Sequence, residues 1–277
     1  AGGLVGENYQ GTVQDAYATG GVSSTGNSIG GRIGYNYGNG TVVSCYATGS
    51  VSGNTYIGGL IGYNHLGSVS SCYARGNVSG EDYVAGFVGT NSGSTITFCY
   101  ATGAVSSAFR VGGFAGPFSS GTITSSYWNV QTSGQSTSGG GDPRTTADMT
   151  HPYGSTTYVG WDFSTIWAAD TDYAVNGGYP YLRAFPLPTG TVVVNVSPGT
   201  ATWTLSGPTG FSGNGTTYTG NQTFTNVPVG TYTWTGNALS GYNTPSSQTA
   251  TLANGSTITF NKTWTLSAGG GDTSGDI

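Results

Sequence analysis

A fixed repeat of 27 to 28 residues runs through the first half of the chain. Aligned on their shared glycines, the five units read GLVGEN, GRIGYN, GLIGYN, GFVGTN and GFAGPF. One unit of this length cannot bury its own apolar face, whereas units stacked one above another create a continuous core. The period therefore predicts an all-β fold that begins with a β-solenoid of about five coils. The units start at Gly3, Gly31, Gly59, Gly86 and Gly113.

Within each unit the residue pattern favours strands and turns. Short alternating stretches such as residues 41–46 are bounded by Gly, Asn and Ser, and no helical period is present in this half. The chain has 51 glycines among its 277 residues. We expect the recurring glycines either to adopt positive φ or to allow two coils to approach closely.

Stacking places equivalent residues in columns with a spacing of about 4.8 Å. The Val/Ile column that includes Ile33 is the most consistently apolar and is predicted to face inward, so the adjacent column with Arg32 is predicted to face outward. The asparagine column is predicted to end where Pro117-Phe118 replaces it. The polar and sulfur columns are Asn8, Asn36, Asn64 and Asn91; Tyr17, Tyr46, Tyr73, Tyr100 and Tyr127; and Cys45, Cys72 and Cys99.

The combination of GGLVG, GxN, GTV and CYATGxVSG in one register resembles the GLUG repeats of bacterial surface adhesins and secreted peptidases. The resemblance covers residues 2–129, and we assign 1–129 to the solenoid. It implies an extracellular scaffold or adhesion module. In a GLUG-containing peptidase, the catalytic chemistry would lie in another domain.

Residues 130–187 are predicted to form a capping segment and linker. Aromatic density rises after residue 150, and the string GYPYL at 178–182 is similar to the segment that follows GLUG arrays. We interpret this segment as the cap that closes the solenoid, since solenoids need polar-faced terminal units. Phe185-Pro186-Leu187-Pro188 is expected to be a stiff, extended linker.

Residues 188–267 carry six short alternating stretches separated by Pro, Gly and Asn turns. This pattern predicts a small antiparallel β-sandwich of immunoglobulin-like or prealbumin-like type. Residues 190–265 also resemble, more weakly, carboxypeptidase-regulatory and PEGA-like domains, which implies a stalk or spacer on a secreted protein. A Gly/Asp-rich tail of residues 268–277 follows.

Three groups of residues are candidates for ligand sites. The cysteine column is predicted to pack as small hydrophobes rather than as a metal or redox array, and a disulfide between Cys45 and Cys72 stays open. The tyrosine column either covers a solenoid face or stacks on sugars, and we favour cover. Four aspartates suit solvated cap loops better than a calcium site: Asp148, Asp162, Asp170 and Asp172.

Catalysis, cofactor binding and metal binding are not predicted. The chain has two histidines, His65 and His151, and the acids Glu7, Asp15, Glu81 and Asp82 recur in no constellation with them. A net charge of −5 with six basic residues leaves no basic stripe for nucleic acid. No apolar run approaches the about 20 residues of a transmembrane helix.

Seven asparagines stand in N-x-Ser/Thr sequons and are candidates for glycosylation. Chance explains most sequons in a chain this rich in Ser, Thr and Asn. They are Asn39, Asn77, Asn195, Asn214, Asn221, Asn254 and Asn261.

These observations favour a secreted bacterial structural protein at the cell surface or outside the cell. We expect copies of the chain to assemble head-to-tail into a filament or surface layer, with a strand or the tail of one copy completing the β-edge of the next. The alternative is an adhesin fragment that binds glycans or another surface.

Overall fold

The computed structural model describes residues 1–117, 120–171, 173, 175–185, 187–208 and 210–267. The chain forms two units. The first comprises Ala1–Asp170 and Gly178–Phe185, and the second comprises Thr171–Gly177 and Pro186–Ile277.

The first unit is built from short strands with two four-residue helices near its end. In chain order they are β1 Val5–Tyr9, β2 Thr12–Ala18, β3 Val22–Ser23, β4 Asn27–Gly30, β5 Ile33–Tyr37, β6 Thr41–Ala47, β7 Val51–Gly58, β8 Ile61–His65, β9 Ser68–Ser70, β10 Tyr73–Ala74, β11 Val78–Ala85, β12 Val88–Ser92, β13 Thr95–Thr97, β14 Tyr100–Ala101, β15 Val105–Ser107, β16 Val111–Gly112, β17 Thr122–Thr124, β18 Tyr127–Asn129, α1 Val130–Ser133, β19 Asp142–Arg144, α2 Thr146–Met149, β20 Trp167–Ala168 and β21 Tyr181–Leu182.

The coils stack into three parallel sheets, which confirms the predicted β-solenoid. The first sheet has the order β1-β5-β8-β12. The second runs β17-β13-β9-β6-β10-β14-β18-β19 with β2 also on β6, and the third runs β15-β11-β7-β3 with β4 on β7 and β16 on β11. Each strand pairs with its equivalent one repeat away, so the columns expected from the sequence exist in register.

The recurring glycines permit close approach of the coils. A Cβ atom at Gly59 would lie 2.1 Å from the carbonyl oxygen of Gly86, a distance that no side chain tolerates. Gly31 meets Gly59 in the same way, at 2.2 Å. Of the two roles expected for these glycines, close approach is therefore the one that applies at this position.

The Val/Ile column faces the core as predicted, with Ile33, Ile61 and Val88 fully buried. The prediction for its neighbour is wrong, because Arg32, Leu60 and Phe87 are equally buried. The backbone nitrogens of Arg32 and Ile33 both donate to the carbonyl oxygen of Leu60, at 3.0 Å each. Two consecutive donors on one acceptor mark a corner between β4 and β5, and the alternation of a flat strand does not extend through a corner.

The segment after the solenoid has two separate roles, where the sequence predicted a single cap. Residues 137–144 partly cover the end of the stack, since β19 pairs with β18 and Gly113 donates to Thr137. The aromatic residues that follow pack against the flank of the second sheet and bury Tyr73, Tyr100 and Tyr127. The two roles differ because the strands of the last coil need hydrogen-bonding partners, whereas the exposed tyrosine rings on the second sheet need apolar side chains to cover them.

The second unit contains a three-stranded sheet, β25-β22-β29, and a four-stranded sheet, β24-β23-β26-β28, around one core, which is compatible with the predicted small sandwich. One pairing, β22 with β29, is parallel, whereas the others in these sheets are antiparallel. The short strands β27 and β30 pair with each other. The bounds are β22 Thr189–Ser197, β23 Thr202–Ser206, β24 Thr217–Thr219, β25 Gln222–Pro228, β26 Gly230–Gly236, β27 Tyr242–Asn243, β28 Gln248–Leu252, β29 Thr257–Thr263 and β30 Thr265–Leu266.

Tyr232 lies in the core of this second unit. Its hydroxyl donates to the carbonyl oxygen of Pro228 at 2.7 Å, a bond four residues back along the chain. The corner tyrosine of immunoglobulin-like sandwiches makes a bond of this kind. None of the helices in the described ranges has the length and apolar character needed to cross a membrane.

Candidate functional site

The asparagine column forms a directional chain of hydrogen bonds inside the solenoid. The Nδ2 of Asn8 donates to the Oδ1 of Asn36 at 2.7 Å, and the Nδ2 of Asn36 donates to Asn64 at 2.8 Å. Asn64 donates in turn to Asn91 at 2.8 Å. Because every amide nitrogen points toward the next coil, the Oδ1 of Asn8 is the acceptor at the first-coil end, and no donor in the described residues reaches it.

The first coil leaves the core columns open to solvent. Leu4 is 55% exposed, although Leu60, Phe87 and Phe114 of its column are 0% exposed. Val5 and Val13 are half-buried where their equivalents in the next coils are fully buried. The strand edges are open as well, because β1 pairs with β5 and β2 pairs with β6, on one side each. We name this surface, formed by β1, β2 and Leu4, the first-coil edge.

Directly beneath the first-coil edge lies an unusual buried charge. Arg32 is 0% exposed, and its Nε, Nη1 and Nη2 atoms have no hydrogen-bond partner among the described residues. A buried cation without a partner carries a large desolvation penalty.

The opposite end of the stack is partly covered. Trp128 is buried in the core, and the hydroxyl of Ser138 accepts hydrogen bonds from the backbone nitrogens of Phe114 and Ala115, at 3.0 and 2.9 Å. Residues 142–144 then pair with β18. In the described residues, β19 covers one strand of the last coil, whereas β1 and β2 of the first coil each pair on one side.

Comparison with family models supports the family expected from the repeat. Residues 53–79 match the GLUG motif. Comparison with curated proteins finds no similar sequence, and comparison with solved structures finds no similar fold. The comparisons do not confirm the PEGA-like resemblance of residues 190–265.

The matched residues span the end of the second repeat and most of the third, and neighbouring repeats pair with them in register. The GLUG motif is typical of surface proteins and indicates a surface or adhesin-like repeat protein. The coils supply the rigid parallel stack, and the candidate site is the first-coil edge of that GLUG solenoid.

The tyrosine column of the GLUG coils is largely covered. Rings of successive tyrosines stack with centroids 4.8 to 5.1 Å apart. Tyr100 is fully buried, and its hydroxyl donates to the carbonyl oxygen of Pro180 at 2.8 Å. Tyr17, at the first-coil end, is 52% exposed and contacts Phe185. Burial raises the pKa of Tyr73, so the phenol stays neutral inside this cluster.

The three cysteines of the GLUG coils are free and buried. The thiol of Cys45 contacts Cys72, and Cys72 contacts Cys99, so the sulfurs form a column in the core. The pKa of Cys45 is raised by its hydrogen bond to Cys72 and by burial, and the pKa of Cys72 is raised by burial first. Neutral, inaccessible thiols are poor nucleophiles and poor metal ligands.

Titratable groups elsewhere are held in structural hydrogen bonds. Asp148 forms a capping box with Thr145 at the start of α2, which lowers the pKa of its carboxyl group. Asp170 is 1% exposed and accepts a hydrogen bond from Gly178, so it does not lie in a solvated loop as expected. In the parts of the chain that the structure describes, no group of three His, Cys, Asp or Glu side chains is placed to bind a metal ion.

Asp162 caps the turn at Ser164 and Thr165. Asp172 lies outside the described residues, as do Phe118 and the tail. His65 contacts the hydroxyl of Ser92 through Nδ1 at 3.3 Å. All seven sequon asparagines are exposed, which leaves their glycosylation as a prediction: Asn39, Asn77, Asn195, Asn214, Asn221, Asn254 and Asn261.

Proposed function

We propose that the chain is a secreted bacterial structural protein, a subunit of an extracellular filament or surface layer that assembles through the first-coil edge. The observation that carries the proposal is the in-register stacking of the repeats, one stretch of which, residues 53–79, matches the GLUG motif typical of surface proteins. Open parallel edges accept further strands through backbone hydrogen bonds. A structural role without catalysis is part of this proposal.

The occupant we assign to the edge is a strand of a second copy of the chain. The last coil is partly covered by residues 137–144, so we assign the first-coil edge to a separate strand rather than to simple stacking of the last coil on it. A contact between an edge and a different segment is heterologous, and repeated heterologous contacts build open filaments rather than closed dimers. The residues of the incoming strand would align with the Oδ1 of Asn8 and with the exposed face of Leu4.

The experiment blocks the edge at a glycine. Parallel pairing uses alternate residues, and because Val5 donates to Arg32, Gly6 directs its N–H group toward the open side of β1. Gly6→Pro removes that donor, and an added Cβ atom meets no atom within 4 Å. Gly20→Pro is the matched control, since Gly20 lies in the same coil and its Cβ position is equally empty.

Electron microscopy and light scattering of the purified full-length chain should show filaments for the wild type and for Gly20→Pro, and monomers for Gly6→Pro. Circular dichroism verifies that each variant is folded. A wild type that stays monomeric at high concentration, or filaments of Gly6→Pro equal to those of the wild type, would overturn the proposal. A chain that ends at Ser267 then tests whether residues 268–277 supply the incoming strand.

A further inference from the structure

A second group of tyrosines, which the repeat analysis did not single out, lies on the outer face of the first sheet and on strands β7 and β11 beside it. Six rings contact one another in an unbroken series across three coils. The centroid distances are 4.8, 4.5, 5.1, 5.3 and 5.1 Å in order along the series. We name this surface the tyrosine strip, and its members in order are Tyr9, Tyr37, Tyr35, Tyr63, Tyr56 and Tyr83.

The tyrosine strip is accessible to solvent, whereas the tyrosine column is covered. Tyr9 is 59% exposed and the other five rings are half-buried, whereas Tyr100 of the column is 0% exposed. Two of the contacts in the strip, Tyr35 with Tyr63 and Tyr56 with Tyr63, are edge-on. The series therefore does not bury itself by face-to-face stacking throughout, and apolar ring surface stays available to a ligand.

Two rings of the strip are held on strained backbone. Tyr56 and Tyr83 have φ values of 58° and 51°, and Ser28 at the same register has 55°. The left-handed region is unfavourable for a bulky residue, and glycine or asparagine adopts it without this cost. Strands β7 and β11 each carry a ring at this position, and both rings extend the strip beyond the first sheet.

The charged groups at the strip are a cation that is already paired and the acidic residue Glu7. Arg110 lies over the ring of Tyr83, 4.1 Å from its centroid, and its guanidinium makes two hydrogen bonds to Asp82, at 2.8 and 2.6 Å. Because Asp82 neutralises this cation, the strip is poorly suited to an acidic ligand. Burial and the neighbouring Tyr63, Tyr37 and Glu7 raise the pKa of Tyr35, so its hydroxyl stays protonated and can donate.

We propose that the tyrosine strip binds a neutral, unbranched polysaccharide chain. Aromatic faces pack against the apolar faces of sugar rings, while phenolic and serine hydroxyl groups exchange hydrogen bonds with the sugar hydroxyls. The length of the strip, which crosses three coils, matches an extended polymer rather than a single sugar. The proposal stands on the tyrosine strip alone and does not depend on assembly through the first-coil edge.

The test is retention of the full-length chain on cellulose and on chitin, with alginate as the acidic comparison. The wild type should bind cellulose or chitin, and Tyr35→Ala/Tyr63→Ala should bind about tenfold more weakly. Tyr17→Ala is the control, because Tyr17 is as exposed as Tyr9 of the strip, at 52% against 59%, but belongs to the tyrosine column. If the double variant does not fold, Tyr9→Ala replaces it, since that side chain is largely solvent-exposed.

Three results would overturn the proposal. The first is a wild type that binds neither cellulose nor chitin. The second is a loss of binding in Tyr17→Ala as large as that in the strip variant. The third is retention on alginate alone, which would assign the surface to acidic polymers. Light scattering on the same samples reports assembly separately, so failure of this proposal and failure of the filament proposal are distinguishable.

Discussion

The backbone nitrogen of Arg32 donates to the carbonyl oxygen of Leu60 at 3.0 Å, so an arginine occupies the core position that a leucine fills one coil further along. Its three guanidinium nitrogens have no partner in the described part of the chain. The column is otherwise apolar from Leu60 onward, which makes this residue the least favourable member of the core. Replacing Arg32 with an apolar residue is therefore expected to change the free energy of unfolding.

Arg32→Leu is expected to stabilise the chain. The substitution removes an unpaired buried charge and supplies the side chain that the third coil uses, so we expect a gain of about 1–4 kcal/mol in the free energy of unfolding. Thermal and urea unfolding measure it. Arg75→Leu is the control, because Arg75 lies over the ring of Tyr179 and donates to Thr102, and its loss should destabilise. A lower melting temperature for Arg32→Leu would contradict the prediction.

Asn64→Ala is expected to destabilise the solenoid. Asn64 is fully buried, accepts from Asn36 and donates to Asn91, so truncation leaves one donor and one acceptor short of a partner. An unsatisfied buried polar group costs about 1–3 kcal/mol. Urea denaturation followed by circular dichroism measures the loss. Asn54→Ala removes an exposed amide that bonds to Thr25, and an equal loss there would exclude the buried ladder as the cause.

Tyr100→Phe is expected to weaken the attachment of the aromatic segment to the second sheet. The hydroxyl of Tyr100 is buried and donates to Pro180, and its removal leaves that carbonyl oxygen without this donor. We expect a loss of about 1 kcal/mol, visible in the near-ultraviolet circular dichroism on heating. Tyr17→Phe should leave the signal unchanged, because the Tyr17 ring is half-exposed at the end of the column.

Alkaline pH is expected to destabilise the second unit through Tyr232. Burial raises the pKa of Tyr232 to about 12, from a model-peptide value of about 10. The folded state therefore favours the neutral phenol, and this contribution is complete below pH 10 and is lost as the pH rises to 12. Melting temperatures across that range should fall less in Tyr232→Phe than in the wild type. The variant should also be less stable at pH 7, since it lacks the bond to Pro228.

The strand positions and the register were accessible from the sequence because both follow from spacing. The period alone places Asn36 beside Asn64 and Ile33 beside Ile61, since a solenoid brings each residue next to its equivalent. The burial of Arg32 was not accessible, because the alternation rule applies within a strand and this residue lies at a corner. The parallel pairing of β22 with β29 joins residues far apart in the chain, which no local pattern reports.

Assembly through a β-edge was predicted from the sequence, but the side chains exposed at the first-coil edge are seen only in the structure. The exposure of Leu4 beside the buried Leu60 and the orientation of the amide of Asn8 are properties of side chains in three dimensions. The tyrosine strip was missed because its rings come from three different registers. The recurrence of tyrosine at 35 and 63, and at 56 and 83, was the available signal.

The sequence by itself determined that the chain stacks, because a period of 27 to 28 residues with glycines at fixed positions permits no other way to bury its apolar face. Tertiary structure alone decided which surfaces stay open. The column of Arg32 lies at a corner and faces the core, the aromatic segment covers one set of tyrosines, and Tyr56 and Tyr83 on β7 and β11 complete the other set. Exposure depends on contacts between residues distant in the chain, and repeat spacing does not encode those contacts.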